Sequence, residues 1–273
     1  MTNLLTAWKG FEPRLVSARR ICVLSDFDGT LAPIVERPDL ALLPEEARRA
    51  MSALAANRRV VLGVVSGRAL GDLYPRVNLP DLWYVGNHGY EMRSPQGDLK
   101  RFYEESDLKL MAVVADELER AAAGVPGALV ERKGPVTALH YRKVEPARAV
   151  EAEQAFLRVV ERYHRHAMVS RGHMVLEARL RSSCNKGMAV RHIRKDLPAG
   201  TLVIYLGDDL TDRDAFREVR GSGVSVEVGV AETAVADYTL ADPGEVAELL
   251  RRLSRQLEDR PTRIRPGRSS RRR

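Results

Sequence analysis

Residues 21–34 read ICVLSDFDGTLAPI: four apolar residues, a serine, then two aspartates, Asp26 and Asp28, one residue apart. An apolar run with no in-and-out alternation predicts a strand covered on both faces, the mark of a parallel sheet lying between helices. Residues i and i+2 of an extended chain project to the same side. Both carboxylates therefore aim at one point past the strand end, where open parallel sheets bind ligands. A turn that favours Asp and Gly accounts for the composition by itself. Two like charges after a buried strand nevertheless destabilise it unless a cation compensates.

The same kind of strand recurs outward from this one. RVVLGVV (59–65), DLWYVGN (81–87), TLVIYLGDD (201–209), GVSVEVG (223–229) and DYTLA (237–241) are apolar or short buried runs. Helical periods separate them: PEEARRAMSALAAN from Pro44, a helix opening at NKG (185–187), one from Thr211, and PGEVAELLRRLSRQLE from Pro243. Strands alternating with helices give an α/β fold with a Rossmann-like parallel-sheet core.

Residues 93–180 follow a different pattern. YEMRSPQGDLKRFY (90–103) reads as a hairpin, and SDLKLMAVVADELERAAAG (106–124) as a long helix with Ser106 as its N-cap. ALVERKGPVTALHYRK (128–143) and HAMVSRGHMVLEARL (166–180) each hold two short strands, with a helix over about 147–166 between them. Alternating strands joined by hairpins predict an antiparallel sheet with one wet face. The chain thus divides into core residues 1–92, an inserted α+β cap domain 93–180, core residues 181–260 and a basic, disordered tail 261–273.

A second buried strand also ends in acids, VIYLGDDLTDRDAF (203–216), which carries Asp208 and Asp209. Two strands delivering carboxylate oxygens to one sheet edge make a site for a hard, six-coordinate cation, with Mg²⁺ the first choice. Asp212 and Asp214 fall at the start of the next helix, where negative charge suits the dipole. Ser66 in VVSGR ends another strand, and Lys186 in NKG places a fixed cation at a helix start; both junctions suit an anion.

Composition excludes several classes. Six of the arginines behind the net charge of +7 lie in the last 13 residues, so the rest is nearly neutral and no nucleic-acid partner is indicated. Two cysteines, Cys22 and Cys184, form no disulfide framework and suit a reducing cytoplasm. Lys9 and Glu12 interrupt any apolar leader, and no run reaches membrane-spanning length, so a cytoplasmic protein, monomeric by default, is expected. GSGVSV (221–226) lacks the third glycine of a dinucleotide turn and precedes a strand. A cysteine phosphatase centred on Cys184 would need an arginine where Val190 stands.

In this order and spacing, DFDGT, Ser66, Lys186 and GDDLTD resemble the four motifs of the haloacid dehalogenase superfamily of phosphatases. The resemblance spans residues 20–260 and is closest to the trehalose-6-phosphate phosphatase branch. DFDGTLAPI (26–34), SGR (66–68), GNHGYE (86–91), ALHYR (138–142), Glu177 with Lys186 in LEARLRSSCNKG, and GDDLTDRDAF (207–216) carry that match. Phe27 stands where this branch commonly has Tyr, and Arg213 where it has Glu; Phe27 is expected to point into the core.

The resemblance implies a C2-type cap and a set of roles. Asp26 is the nucleophile, and Asp28 the acid and then the base. Lys186 and Ser66 hold the phosphoryl group. Mg²⁺ is held by Asp26, the Asp28 carbonyl and Asp208, with Asp209 orienting a bound water. Glu131, Lys133, Arg142 and Glu177 from the cap, with Arg68, Asn87, His88 and Gly89 from the core, are the expected sugar readers. The implied substrate is trehalose 6-phosphate; another sugar phosphate such as sucrose phosphate, or a sugar-phosphate sensor without turnover, are the alternatives.

Overall fold

The computed structural model describes residues 1–172, 174–230 and 235–258, so the basic run from residue 261 lies outside the described residues. The chain opens with β1 (Thr2–Asn3), α1 (Trp8–Ser17) and β2 (Ile21–Ser25). Next come α2 (Glu45–Ala55), β3 (Val60–Val65), α3 (Leu70–Val77), β4 (Trp83–Gly86) and the hairpin β5 (Glu91–Arg93) with β6 (Leu99–Arg101). Then follow α4 (Glu105–Ala122), β7 (Leu129–Arg132), β8 (Val136–His140), α5 (Ala149–Arg162), β9 (Ala167–Gly172) and β10 (Val175–Leu180). The chain closes with α6 (Lys186–Lys195), β11 (Leu202–Gly207), α7 (Arg213–Val219), β12 (Val224–Val228), β13 (Tyr238–Leu240) and α8 (Pro243–Glu258).

The first sheet has nine strands in the order β1-β13-β12-β11-β2-β3-β4-β5-β6, parallel from β1 to β4. Alternate residues of β2 serve opposite layers. Ile21 and Val23 pack with Leu15, Met51, Leu73 and Leu250 from α1, α2, α3 and α8, while Cys22 and Leu24 pack with Ile193 and Phe216 from α6 and α7. Every residue of β2, β11 and β12 is buried. The continuous apolar runs are explained by this three-layer arrangement. Phe27 is fully buried in the same core.

Because β2 pairs with β3 on one side and β11 on the other, its end lies where the strand order reverses. That is the position at which open α/β sheets form a crevice. Residues 1–20, which carried no element in the sequence reading, supply an edge strand and a core helix through Trp8, Phe11 and Leu15.

The hairpin at 90–103 belongs to the first sheet, not to an insert starting at residue 93. β5 pairs antiparallel with β4, and β6 with β5. Its sequence alternates like the insert's strands because it lies at the sheet edge, where one side is wet. The second sheet, β7-β8-β10-β9, is antiparallel and packs one face on α4 and α5 through Leu139, Leu176, Met111 and Phe156. Its other face is largely covered: Ala138 and Glu177 are buried, with Glu177 against the core turn at residue 88. The cap of helix α4 lies two residues before the expected one. Glu104, not Ser106, is the N-cap, in a reciprocal capping box with Asp107.

Candidate active site

Three strand ends converge on the crevice. β2 delivers Asp26, β3 delivers Ser66 and β11 delivers Asp208. Carboxylate oxygens of Asp26, Asp208 and Asp212 all lie within 4.8 Å of one another. Lys186, at the first turn of α6, donates from Nζ to Asp26 Oδ2 at 2.6 Å and to Asp212 Oδ1 at 2.8 Å. Tyr205 donates to the same Asp212 oxygen at 2.7 Å, and Thr30 donates to Asp208 Oδ1 at 2.7 Å.

One cation is shared among three acids, and the electrostatics show the deficit. Burial, reinforced by Asp212 and Asp208 and opposed by Lys186, raises the Asp26 carboxyl well above the ordinary range. Burial and Asp212 push Asp208 up to about 7. Burial works against the Lys186 charge, but Asp212 and Asp26 outweigh it and raise the ammonium's pKa. An all-oxygen, carboxylate-rich pocket that is short of positive charge fits a hard divalent cation, with Asp26, Asp208 and Asp212 as the residues that would hold it.

Asp212 was expected to serve the next helix, and Asp209 to orient a metal-bound water. The structure brings Asp212, rather than Asp209, into the carboxylate cluster. Asp209 accepts from Leu210 N at 2.6 Å and caps the following turn, outside the carboxylate cluster. Asp212, fully buried, turns back under Tyr205 and Lys186. The single turn at 210–212 causes the exchange, because it rotates the third residue after Asp209 inward. The tight spacing of acids in GDDLTD signalled a cluster but not which members face in.

Asp28 was expected to offer its backbone carbonyl to the metal, and both oxygens of its side chain are gripped by Arg68. Nε donates to Oδ2 and Nη2 to Oδ1, each at 2.7 Å. Arg68, expected among the sugar readers, further bonds Asp72 and the Pro38 carbonyl. Ser66 is buried at the end of β3, where its Oγ accepts from Arg68 N.

The remaining expected residues form the junction between the core and the insert. His88 Nε2 and Glu177 Oε2 are 3.0 Å apart, and Lys133 Nζ donates to Glu177 Oε1 at 3.2 Å. Glu131 lies 3.5 Å from Lys133 Nζ and 2.7 Å from His140 Nε2. Asn87 Nδ2 crosses the junction to the Lys133 carbonyl at 2.9 Å. Arg142 lies apart from this chain and donates to the Val35 carbonyl at 2.8 Å. Gly89, at φ +110°, passes so close to the Asn185 carbonyl that a Cβ would sit 2.7 Å from its oxygen.

Burial, aided by Arg179, lowers the His88 pKa to about 4, so near neutrality the ring is uncharged and donates Nε2–H to Glu177. Glu177 is held well below the usual carboxylate range: burial opposes its charge, but Lys133, His88 and Arg179 prevail. His140 and Arg179 were not foreseen. Both stand on the covered face, because His140 is opposite Val175 and Arg179 is two residues beyond Glu177. That period was present in the sequence, but which face would be covered was not. Among the described residues, Asn87 Oδ1, His88 Nδ1 and Arg179 Nε are buried without a hydrogen-bond partner.

Comparison with known proteins shows the family. The trehalose-phosphatase family profile matches residues 24–243. A trehalose-phosphate phosphatase of Mycobacterium tuberculosis (strain H37Rv) is 40% identical over 261 residues, covering 90% of this chain and 64% of the relative. The chain thus spans under two thirds of that curated relative. The C-terminal domain of trehalose-6-phosphate phosphatase from Candida albicans superposes with a TM-score of 0.80 at 24% identity, covering 90% of this chain and 96% of that one. A haloacid dehalogenase-like hydrolase from Bacteroides thetaiotaomicron has the same fold, with a TM-score of 0.62 at 14% identity over 86% of this chain and 99% of that one.

Proposed function

Because the chain belongs to the trehalose-phosphatase family, we propose that it is a Mg²⁺-dependent phosphatase that hydrolyses trehalose 6-phosphate to trehalose and inorganic phosphate. The observation that carries this reading is the buried Lys186 bridging Asp26 and Asp212 at the strand ends, with Asp208 completing the carboxylate cluster under the insert.

The charge problem comes first. A carboxylate about 4 Å from a phosphate dianion is repelled by roughly 8 kcal/mol at an effective dielectric near 20. Lys186 supplies one compensating charge beside Asp26, and Ser66 a hydroxyl on the neighbouring strand end. A divalent cation held by Asp26, Asp208 and Asp212 would neutralise the rest.

The chemistry then divides into two steps. An Asp26 oxygen attacks phosphorus, the bond from phosphorus to the sugar oxygen breaks, and that oxygen takes a proton from Asp28. Water then loses a proton to Asp28 and attacks the aspartyl-phosphate, releasing inorganic phosphate and restoring Asp26. Asp28 follows the nucleophile by two residues in the loop after β2, close in the chain to the reacting centre that both roles require.

The covered face of the insert reads the sugar. Glu131, Lys133, Glu177, His88 and His140 hydrogen-bond one another, so sugar hydroxyls would replace protein partners of like polarity. A site built this way rejects analogues lacking the hydroxyls, because its buried groups would then go unpaired. Arg142 and Asn87 tie insert to core and exclude water.

The test is phosphate release in Mg²⁺ and in EDTA from trehalose 6-phosphate, sucrose 6-phosphate, glucose 6-phosphate and 4-nitrophenyl phosphate. Strong Mg²⁺-dependent preference for trehalose 6-phosphate, abolished in Asp26→Asn, is expected. Comparable turnover of the other sugar esters would discard the substrate, and binding without turnover of any would favour the sensor.

A further inference from the structure

We infer that Asp72, with Arg76 behind it, is a positioning residue that acts through Arg68 to orient Asp28, and that the same lattice fastens the core segment touched by the insert. This deepens the reading of Asp28 as acid and base and rests on it.

The lattice is built from alternating charges. Arg68 presents a two-pronged fork to Asp28, donates from Nη2 to the Pro38 carbonyl at 2.9 Å, and donates from Nη1 to Asp72 Oδ2 at 2.7 Å. Asp72, in the first turn of α3, stands four residues before Arg76 on the same helix side and pairs with Arg68 from the turn that precedes the helix. Arg76 Nε lies 2.9 Å from each Asp72 oxygen, and its Nη2 lies 2.7 Å from Oδ1. Arg76 Nη1 donates to the carbonyls of Asp39 and Ala41 at 3.0 and 2.8 Å.

A bidentate fork sets the plane of the carboxylate it holds, but only if the guanidinium is itself held. Asp28 and Pro38 engage two of the Arg68 nitrogens, and Asp72 engages the third. Without Asp72 the fork can swing about its last torsions, and the Asp28 oxygens swing with it. Side-chain exposures of 38% for Asp28 and 42% for Asp72 mean the attraction is screened, so the lattice supplies orientation more than stability.

The lattice also reaches the insert. Segment 35–41 is gripped at Pro38, Asp39 and Ala41 by the two core arginines and at Val35 by Arg142. The group that holds the catalytic carboxylate thus shares an anchored segment with the domain that covers the substrate.

Leaving-group dependence tests this. Protonation matters for a basic leaving oxygen and little for 4-nitrophenolate, so phenyl and 4-nitrophenyl phosphate separate acid assistance from binding. They have nearly the same shape and no sugar. In single-turnover measurements with Mg²⁺, Asp72→Asn is expected to lower the phenyl-to-4-nitrophenyl rate ratio about tenfold, since general acid help is worth 10²–10⁴ and only its alignment is lost. Asp72→Glu, which keeps a carboxylate between the arginines, should restore much of it. The ratio is read within one preparation, so a partly unfolded variant leaves it unchanged. An unchanged ratio, whether both rates fall equally or neither falls, overturns the inference while an inactive Asp26→Asn and an active parent leave the phosphatase reading standing. A parent inactive on every ester overturns both.

Discussion

A Cβ built on Gly29 would lie 1.9 Å from Asp208 Oδ2, and the residue sits at φ +79°. Both facts require glycine in DFDGT, and together they bring the loop after β2 against the acid that ends β11. Gly29→Ala is expected to lose about 1–3 kcal/mol of stability from backbone strain. It should lose turnover about a hundredfold, since Asp208 must move by the order of 1 Å. Thermal melting and phosphate release check the two, and a variant with native turnover would show that Asp208 has slack. At this scale the sequence reading picked out Asp26, Asp28, Ser66 and Asp208 from their places after strands and Lys186 from its place at a helix start, and the structure brings Asp26, Asp208 and Lys186 together. It did not foresee Asp212 in the cluster or Arg68 on Asp28, because the direction of a side chain within one turn depends on local rotation and on which neighbour offers a partner.

Helix α4 shows the same limit for an element. Ser106 has good N-cap chemistry, but the chain is already helical from Glu105, and Glu104 with Asp107 closes the capping box. Glu104→Ala should cost about 1 kcal/mol in urea unfolding and Ser106→Ala little, because only the true cap satisfies free backbone donors. The opposite ranking would restore Ser106 as the cap. The hairpin β5–β6 is legible as a hairpin, but not its sheet. Edge strands of either sheet alternate in the same way, and only the pairing of Val85 with Met92 settles the neighbour.

For the whole molecule, the acidic cluster links cation binding to pH. The Asp208 pKa, near 7 in the folded protein, exceeds its ordinary 3.8, so the metal-free fold binds the extra proton and loses stability as pH rises between those values. A divalent cation competes with that proton and binds better as pH rises. The Mg²⁺-induced rise in melting temperature should therefore be larger near pH 8 than near pH 5.5, the stabilisation behind it approaching about 2.7 kcal/mol at a hundred times Kd. Taking the difference with and without Mg²⁺ cancels groups that do not meet the cation, His88 among them, whose lowered pKa acts in the opposite sense. A pH-independent shift would place the cation away from Asp208.

Apolar runs, their helical spacers and the acids that end two strands were sufficient by themselves to set a parallel α/β core, a separate antiparallel insert and an acidic crevice. These features are local in the chain: burial dictates the run, and alternation dictates the side. Tertiary structure alone decided which acids share Lys186, that Arg68 holds Asp28, and that the face carrying Glu177 and Lys133 closes on His88. Those contacts join residues tens to more than a hundred positions apart, and a charged side chain has several nearby partners of equal merit until packing selects one.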